Sequence, residues 1–98
     1  MKYIHMRFYE KNGNPTRFGG ITVAYKIEKT ESNTSVAACS VARCSLSDPF
    51  NKRLGREIAQ GRWIKCFDKR EQNHHSFMIP LLDDSRKLIP ILRELVMK

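Results

Sequence analysis

The sequence predicts an α+β domain: a small antiparallel sheet of four to five strands with two helices packed on one face. Three observations carry this. Apolar and polar residues alternate with period two over residues 3–9 and 21–28. A proline-led amphipathic stretch occupies residues 49–61. A second set of apolar residues at helical spacing closes the chain.

In residues 3–9, Ile4, Met6 and Phe8 share one face and His5, Arg7 and Tyr9 the other, the pattern of a half-buried strand. Residues 10–15 hold Gly13 and Pro15 and read as a turn. Gly19 and Gly20 lead into residues 21–28, where Ile21, Val23, Tyr25 and Ile27 oppose Thr22, Ala24, Lys26 and Glu28. This is the clearest strand of the chain. Residues 29–34 form a polar loop. Residues 35–43 are small and β-compatible on both faces, which predicts a strand covered on both sides or packed closely under a helix. A hairpin with the preceding strand is the simplest topology.

Ser47 or Asp48 then caps a helix, Pro49 suits its first position, and Gly61 offers a stop. At about 100° per residue, Phe50, Leu54, Ile58 and Gly61 face the core. Gly55 and Ala59 form a side-chain-poor strip open to another backbone or a ligand. Lys52, Arg53, Arg56 and Gln60 fill the opposite side. Residues 63–67 prolong this helix or form a short strand, and residues 68–76 are a polar loop. Residues 77–82 read as a strand in which Pro80 argues for an edge position. Asp83, Asp84 and Ser85 offer caps for a C-terminal helix carrying Leu88, Ile91, Leu92 and Leu95. Pro90 either kinks that helix or marks its true start.

The 98 residues make one domain with a single core. Eighteen Lys and Arg against ten Asp and Glu leave a net charge of +8, which favours polyanionic partners: nucleic acid, nucleotides or an acidic protein surface. Residues 1–7 contain no signal-like apolar run, and no segment approaches the ~20 apolar residues of a membrane span. The cytoplasm, with Cys39, Cys44 and Cys66 reduced, is the expected setting. These cysteines and His74 and His75 lack the close C-x2-4-C pairs of a structural zinc site, so neither metal nor cofactor is expected. Cys44 with His74 or His75 is the nucleophile–base pairing to weigh, but nothing is placed to orient the base. With no phosphate-cradling glycine loop either, a non-enzymatic protein is expected.

The candidate site is therefore an anion site on the central helix. Lys52, Arg53 and Arg56 stand about one turn apart near free backbone N–H groups, and Arg62 lies at the far end. Gly55 and Ala59 permit close approach. Trp63 and Phe67 are the candidate stacking surfaces for a base.

The stretch Cys44-Ser45-x-x-Asp48-x-Phe50-x-Lys52-x-x-Gly55-Arg56-x-x-Ala59-x-Gly61-Arg62, with Gly19-Gly20-Ile21-Thr22-Val23-Ala24 upstream, resembles a pattern in small accessory proteins of bacteriophages. The resemblance covers the middle half of the chain. It implies an anti-defence role, since phage proteins of this size inhibit CRISPR complexes or sequester the cyclic nucleotide and cyclic ADP-ribose signals of bacterial immunity. Two functions follow as expectations. One is a binder of a phosphate-bearing ligand, a nucleotide signal or nucleic acid, in the host cytoplasm. The other is a protein-binding inhibitor of a host defence complex such as a CRISPR effector, using charge and the apolar C-terminal face. A homo-oligomer in which the arginines converge would suit a small-ligand pocket.

Overall fold

The alternation in residues 21–28 becomes the centre of a long hairpin. The computed structural model describes residues 1–30, 34–81 and 88–96. They form β1 (Lys2–Met6), β2 (Phe18–Lys29), β3 (Ser35–Pro49), α1 (Lys52–Trp63), a π-helical turn (Ile64–Asp68), β4 (Ser76–Leu81) and α2 (Leu88–Val96). The four strands are antiparallel neighbours in chain order. This is the expected α+β architecture, and β4, with Pro80, is an edge strand as expected.

The flanking strands are staggered along the hairpin. β1 pairs with Ile21 to Tyr25 of β2, whereas β4 pairs with Ser35 to Ser40 of β3, opposite the other half of β2. Only two rows cross all four strands: Tyr3–Ala24–Ser40–Ser76 and Lys2–Tyr25–Cys39–Phe77.

The two helices do not share a face of the sheet, as the sequence reading had them; each covers its own. Ile21 and Val23 of β2, Cys39 and Val41 of β3 and Ile79 and Leu81 of β4 pack with Leu88, Leu92 and Val96 of α2. The other pleat of β2 and β3 carries Thr22, Ala24, Ser40 and Ala42, and α1 lies there, with Ala59 against Ala24 and Ala42. Side-chain size sorts the helices. The branched face accepts the leucines of α2, each worth about 1.5–3 kcal/mol when buried. The small face lets α1 approach closely at Gly55, where a Cβ would collide with Thr22 Oγ1.

This reverses the expected faces of α1. Leu54 is 50% and Ile58 40% exposed, and Gly61 is exposed too. The buried helical residues are Ala59 and Trp63, and the strip of small residues, not the Phe50–Leu54–Ile58 stripe, meets the sheet. The helix also starts later than Ser47, Asp48 and Pro49 suggest. Those residues continue β3, where Cys44 pairs with Gly20 and Pro49 with Phe18 across an irregularity in register. Phe50 N–H then donates to Arg17 O, and the cap is Asn51, whose Oδ1 accepts from Leu54 N–H at 3.0 Å. Long-range pairing with β2 outcompetes the local capping signal.

Residues 63–67 are no strand: α1 runs through Trp63 into the π-helical turn, and Arg70, at φ 57°, ends it. Gly61 lies inside the helix. Pro90 sits in the first turn of α2, where its missing N–H leaves no bond unmade. The expected caps Asp83, Asp84 and Ser85 lie outside the described residues. Arg43 Nη1 donates to Val96 O at 2.7 Å, tying the end of α2 to β3. No helix among the described residues is long and apolar enough to cross a membrane.

Candidate anion-binding site

The polar face of β1 and the first turn of α1 meet over Phe50. That half-buried ring rests on Gly20, whose backbone (φ 151°) and missing Cβ make room for it. His5 meets the ring edge-on at 6.0 Å between centroids. The Arg7 guanidinium lies over the same ring, 5.4 Å from its centre. Phe50 thus acts as a floor that positions one imidazole and one cation.

Beside it opens a cavity of about 300 Å3 lined by His5, Met6, Arg7, Tyr9, Lys52 and Arg93. Its three cations come from three places: the segment after β1, the start of α1, and α2. Among the described residues no carboxylate lines it. Arg7 Nε is shielded from solvent and makes no hydrogen bond among the described residues. A buried donor left unmet costs about 1–3 kcal/mol.

His5 Nδ1 lies 2.9 Å from Thr22 Oγ1, a fully buried hydroxyl beneath α1. Burial lowers the affinity of His5 for a proton, and Lys52 and Arg56 lower it further. Arg56 therefore adds its field to the same place. Lys52 and Arg56 are one turn apart on α1, an arrangement in which like charges repel by a few tenths of a kcal/mol. Such crowding is what an anion would relieve.

The chain matches no protein-family model, no curated protein and no solved structure.

Of the residues expected from sequence, the structure brings Lys52 to this cavity, sets Arg56 close enough to act on His5, and leaves the others elsewhere. Arg53 points away and pairs with Glu57 at 3.4 Å, both highly exposed. Arg62 Nη1 donates to Val41 O at 2.8 Å, at the point where β3 runs past the end of β4. It braces the sheet. Gly55 and Ala59 do permit close approach, but the sheet takes the space. Trp63 offers no stacking face: it is 3% exposed, its Nε1–H donates to Ala38 O at 3.0 Å, and Lys26 Nζ covers its ring at 4.6 Å. Phe67 is half-buried against Trp63, 5.1 Å between ring centroids. The exposed aromatic of the site is Tyr9.

His5, Arg7, Tyr9 and Arg93 were missed as site residues. The signal for three of them was present: the polar side of the first alternation is His5, Arg7 and Tyr9. Nothing local marks Arg93.

The thiols lie apart from this site. Cys39 is buried, and burial pushes its pKa up to about 12. Cys44 Sγ faces the backbone carbonyls of Ser45, Asp48 and Pro49 at 3.4–3.6 Å. It lines a separate groove of about 270 Å3 with Asp48, Leu54 and Ile58. The ring centroids of His74 and His75 lie 3.8 Å apart with the planes tilted by 43°; burial, then Arg62, His74 and Arg43, lower the pKa of His75. Among the described residues no three His, Cys, Asp or Glu side chains converge on one point.

Proposed function

We propose that this protein is a non-enzymatic binder of a phosphate-bearing ligand, held where β1, α1 and α2 meet. One observation carries the reading: Arg7 after β1, Lys52 of α1 and Arg93 of α2 converge on a cavity that, among the described residues, no carboxylate lines. Arg56 adds charge from the next turn of α1, and Tyr9 supplies an exposed aromatic face for a base. The net charge of +8 works in the same direction at long range. The resemblance to phage accessory proteins makes the nucleotide signals of bacterial immunity the first ligands to try.

The direct test is to purify the protein at low salt, denature it and identify what is released by mass spectrometry. A small nucleotide or a nucleic-acid strand retained by the wild type and lost from Lys52→Glu and Arg56→Glu supports the reading. A wild-type protein that carries nothing and binds neither nucleotides nor oligonucleotides overturns it.

A second reading, an inhibitor that docks on a host defence protein, draws on a different flank of α1. There Leu54 and Ile58 are 50% and 40% exposed beside the groove at Cys44. A stoichiometric host protein that co-purifies with the wild type and is lost from Leu54→Asp would favour it.

A further inference from the structure

We propose that an oxyanion entering the cavity between Arg7, Lys52 and Arg93 binds together with one proton taken up by His5. The site is then a proton-coupled receptor for a compact dianion, such as a terminal phosphate, whose affinity rises as the pH falls. This rests on the anion-binding reading above and adds to it the charge class of the ligand and its regulation.

The geometry sets up the coupling. His5 lines the same cavity as the three cations, and its Nδ1 keeps a hydroxyl partner, Thr22 Oγ1, in either protonation state. A hydroxyl donates to a bare imidazole nitrogen and accepts from a protonated one by turning its own hydrogen. The ring can therefore titrate without moving. The groups facing it are Lys52 and Arg56 from α1, Arg7 and Tyr9 from the β1 side, Arg93 from α2, Thr22 from β2 and the Phe50 ring. Among the described residues the ionic groups facing it are all cationic. In the empty site they oppose a charge on His5, and burial opposes it too, so the ring is held neutral near pH 7.

A dianion reverses that balance. It neutralises the neighbouring cations and places negative charge within a few ångströms of the imidazole, which favours the protonated ring. Coupling is reciprocal: if the ligand draws a proton in, the proton tightens the ligand. The sign follows. Above the bound-state pKa of His5 no proton is taken up and the affinity is flat. Between the bound-state and free-state values each pH unit of acidification tightens binding by up to about tenfold. Below the free-state value the affinity is flat again. A cavity of about 300 Å3 in which three cations converge suits one tetrahedral group better than a run of phosphodiesters.

Inorganic sulfate is the probe, because its own charge is constant over the range, whereas phosphate titrates within it. The expected result is sulfate binding at least fivefold tighter at pH 5.5 than at pH 7.5. The imidazole resonance of His5 should titrate with a midpoint higher in saturating sulfate by about 0.7 pH unit or more, the shift that a fivefold change requires, with His74 and His75 unmoved. His5→Gln should bind sulfate with an affinity independent of pH. Sulfate binding in the wild type with no pH dependence, or an unmoved His5 midpoint, overturns the coupling and leaves the anion site standing. No sulfate binding to the wild type at any of these pH values, at low salt, overturns the site and the coupling together.

Discussion

Burial decides which basic and aromatic residues are free to act. In sequence Trp63 follows the basic helix and reads as a stacking surface, but it is a buried donor to Ala38 O with Lys26 over its ring. Trp63→Phe should lower stability by about 1–2 kcal/mol in urea unfolding, by leaving that carbonyl unmet, without changing anion affinity. Arg62→Ala should behave the same way, losing about 1–3 kcal/mol with the bond to Val41 O. Lys52→Glu should do the opposite. It removes a like-charge contact with Arg56, so stability should stay within about 0.5 kcal/mol of wild type. Sulfate affinity, by contrast, should fall at least tenfold. His5 also sets an acid limit. Its folded-state pKa lies below the ordinary value of 6.5, so the folded protein binds fewer protons than the unfolded chain. Its contribution to stability is complete above pH 6.5 and shrinks as the pH falls below it, and saturating sulfate should oppose that loss. Thermal unfolding midpoints at pH 7.5 and 5.5, with and without sulfate, check this.

Two glycines on α1 separate helix propensity from packing. Gly61 has nothing within 4 Å of a would-be Cβ, whereas Gly55 lies against Thr22. Gly61→Ala should stabilise by about 0.5–1 kcal/mol, the ordinary gain of alanine over glycine in a helix. Gly55→Ala should lose that gain and more, about 1–3 kcal/mol net, because the helix must lift from the sheet. Equal effects at the two positions would refute the close approach of α1. The strands were legible because alternation is local: β1, β2, β3 and β4 all follow apolar patterns visible within a few residues. The small residues of β3 even announced cover on both sides, which the placement of α1 and α2 supplies. The start of α1 was not legible. Ser47, Asp48 and Pro49 are a good helix start by themselves, and only the partners Phe18 and Gly20, about thirty residues away, hold that segment in the sheet.

For the whole molecule, the candidate site is a product of topology. Lys52 and Arg56 could be read from one helix, but Arg7 and Arg93 meet only because β1 is an edge strand flanked by helices on opposite faces. Its affinity should fall with added salt, since three cations at a partly open cavity are screened over about 8 Å at 0.15 M. A several-fold loss of sulfate affinity between 20 and 150 mM sodium chloride, measured by calorimetry, is the expected outcome. The stagger of the flanking strands has a kinetic corollary. β1 and β4 brace opposite halves of the hairpin and overlap in only two rows, so the sheet can open from either corner without disturbing the other. Amide exchange should therefore resolve two units. Occupancy of the cavity should slow exchange in β1 and in the part of β2 paired with it. The amides of β4 and its partners on β3 should exchange at their former rates.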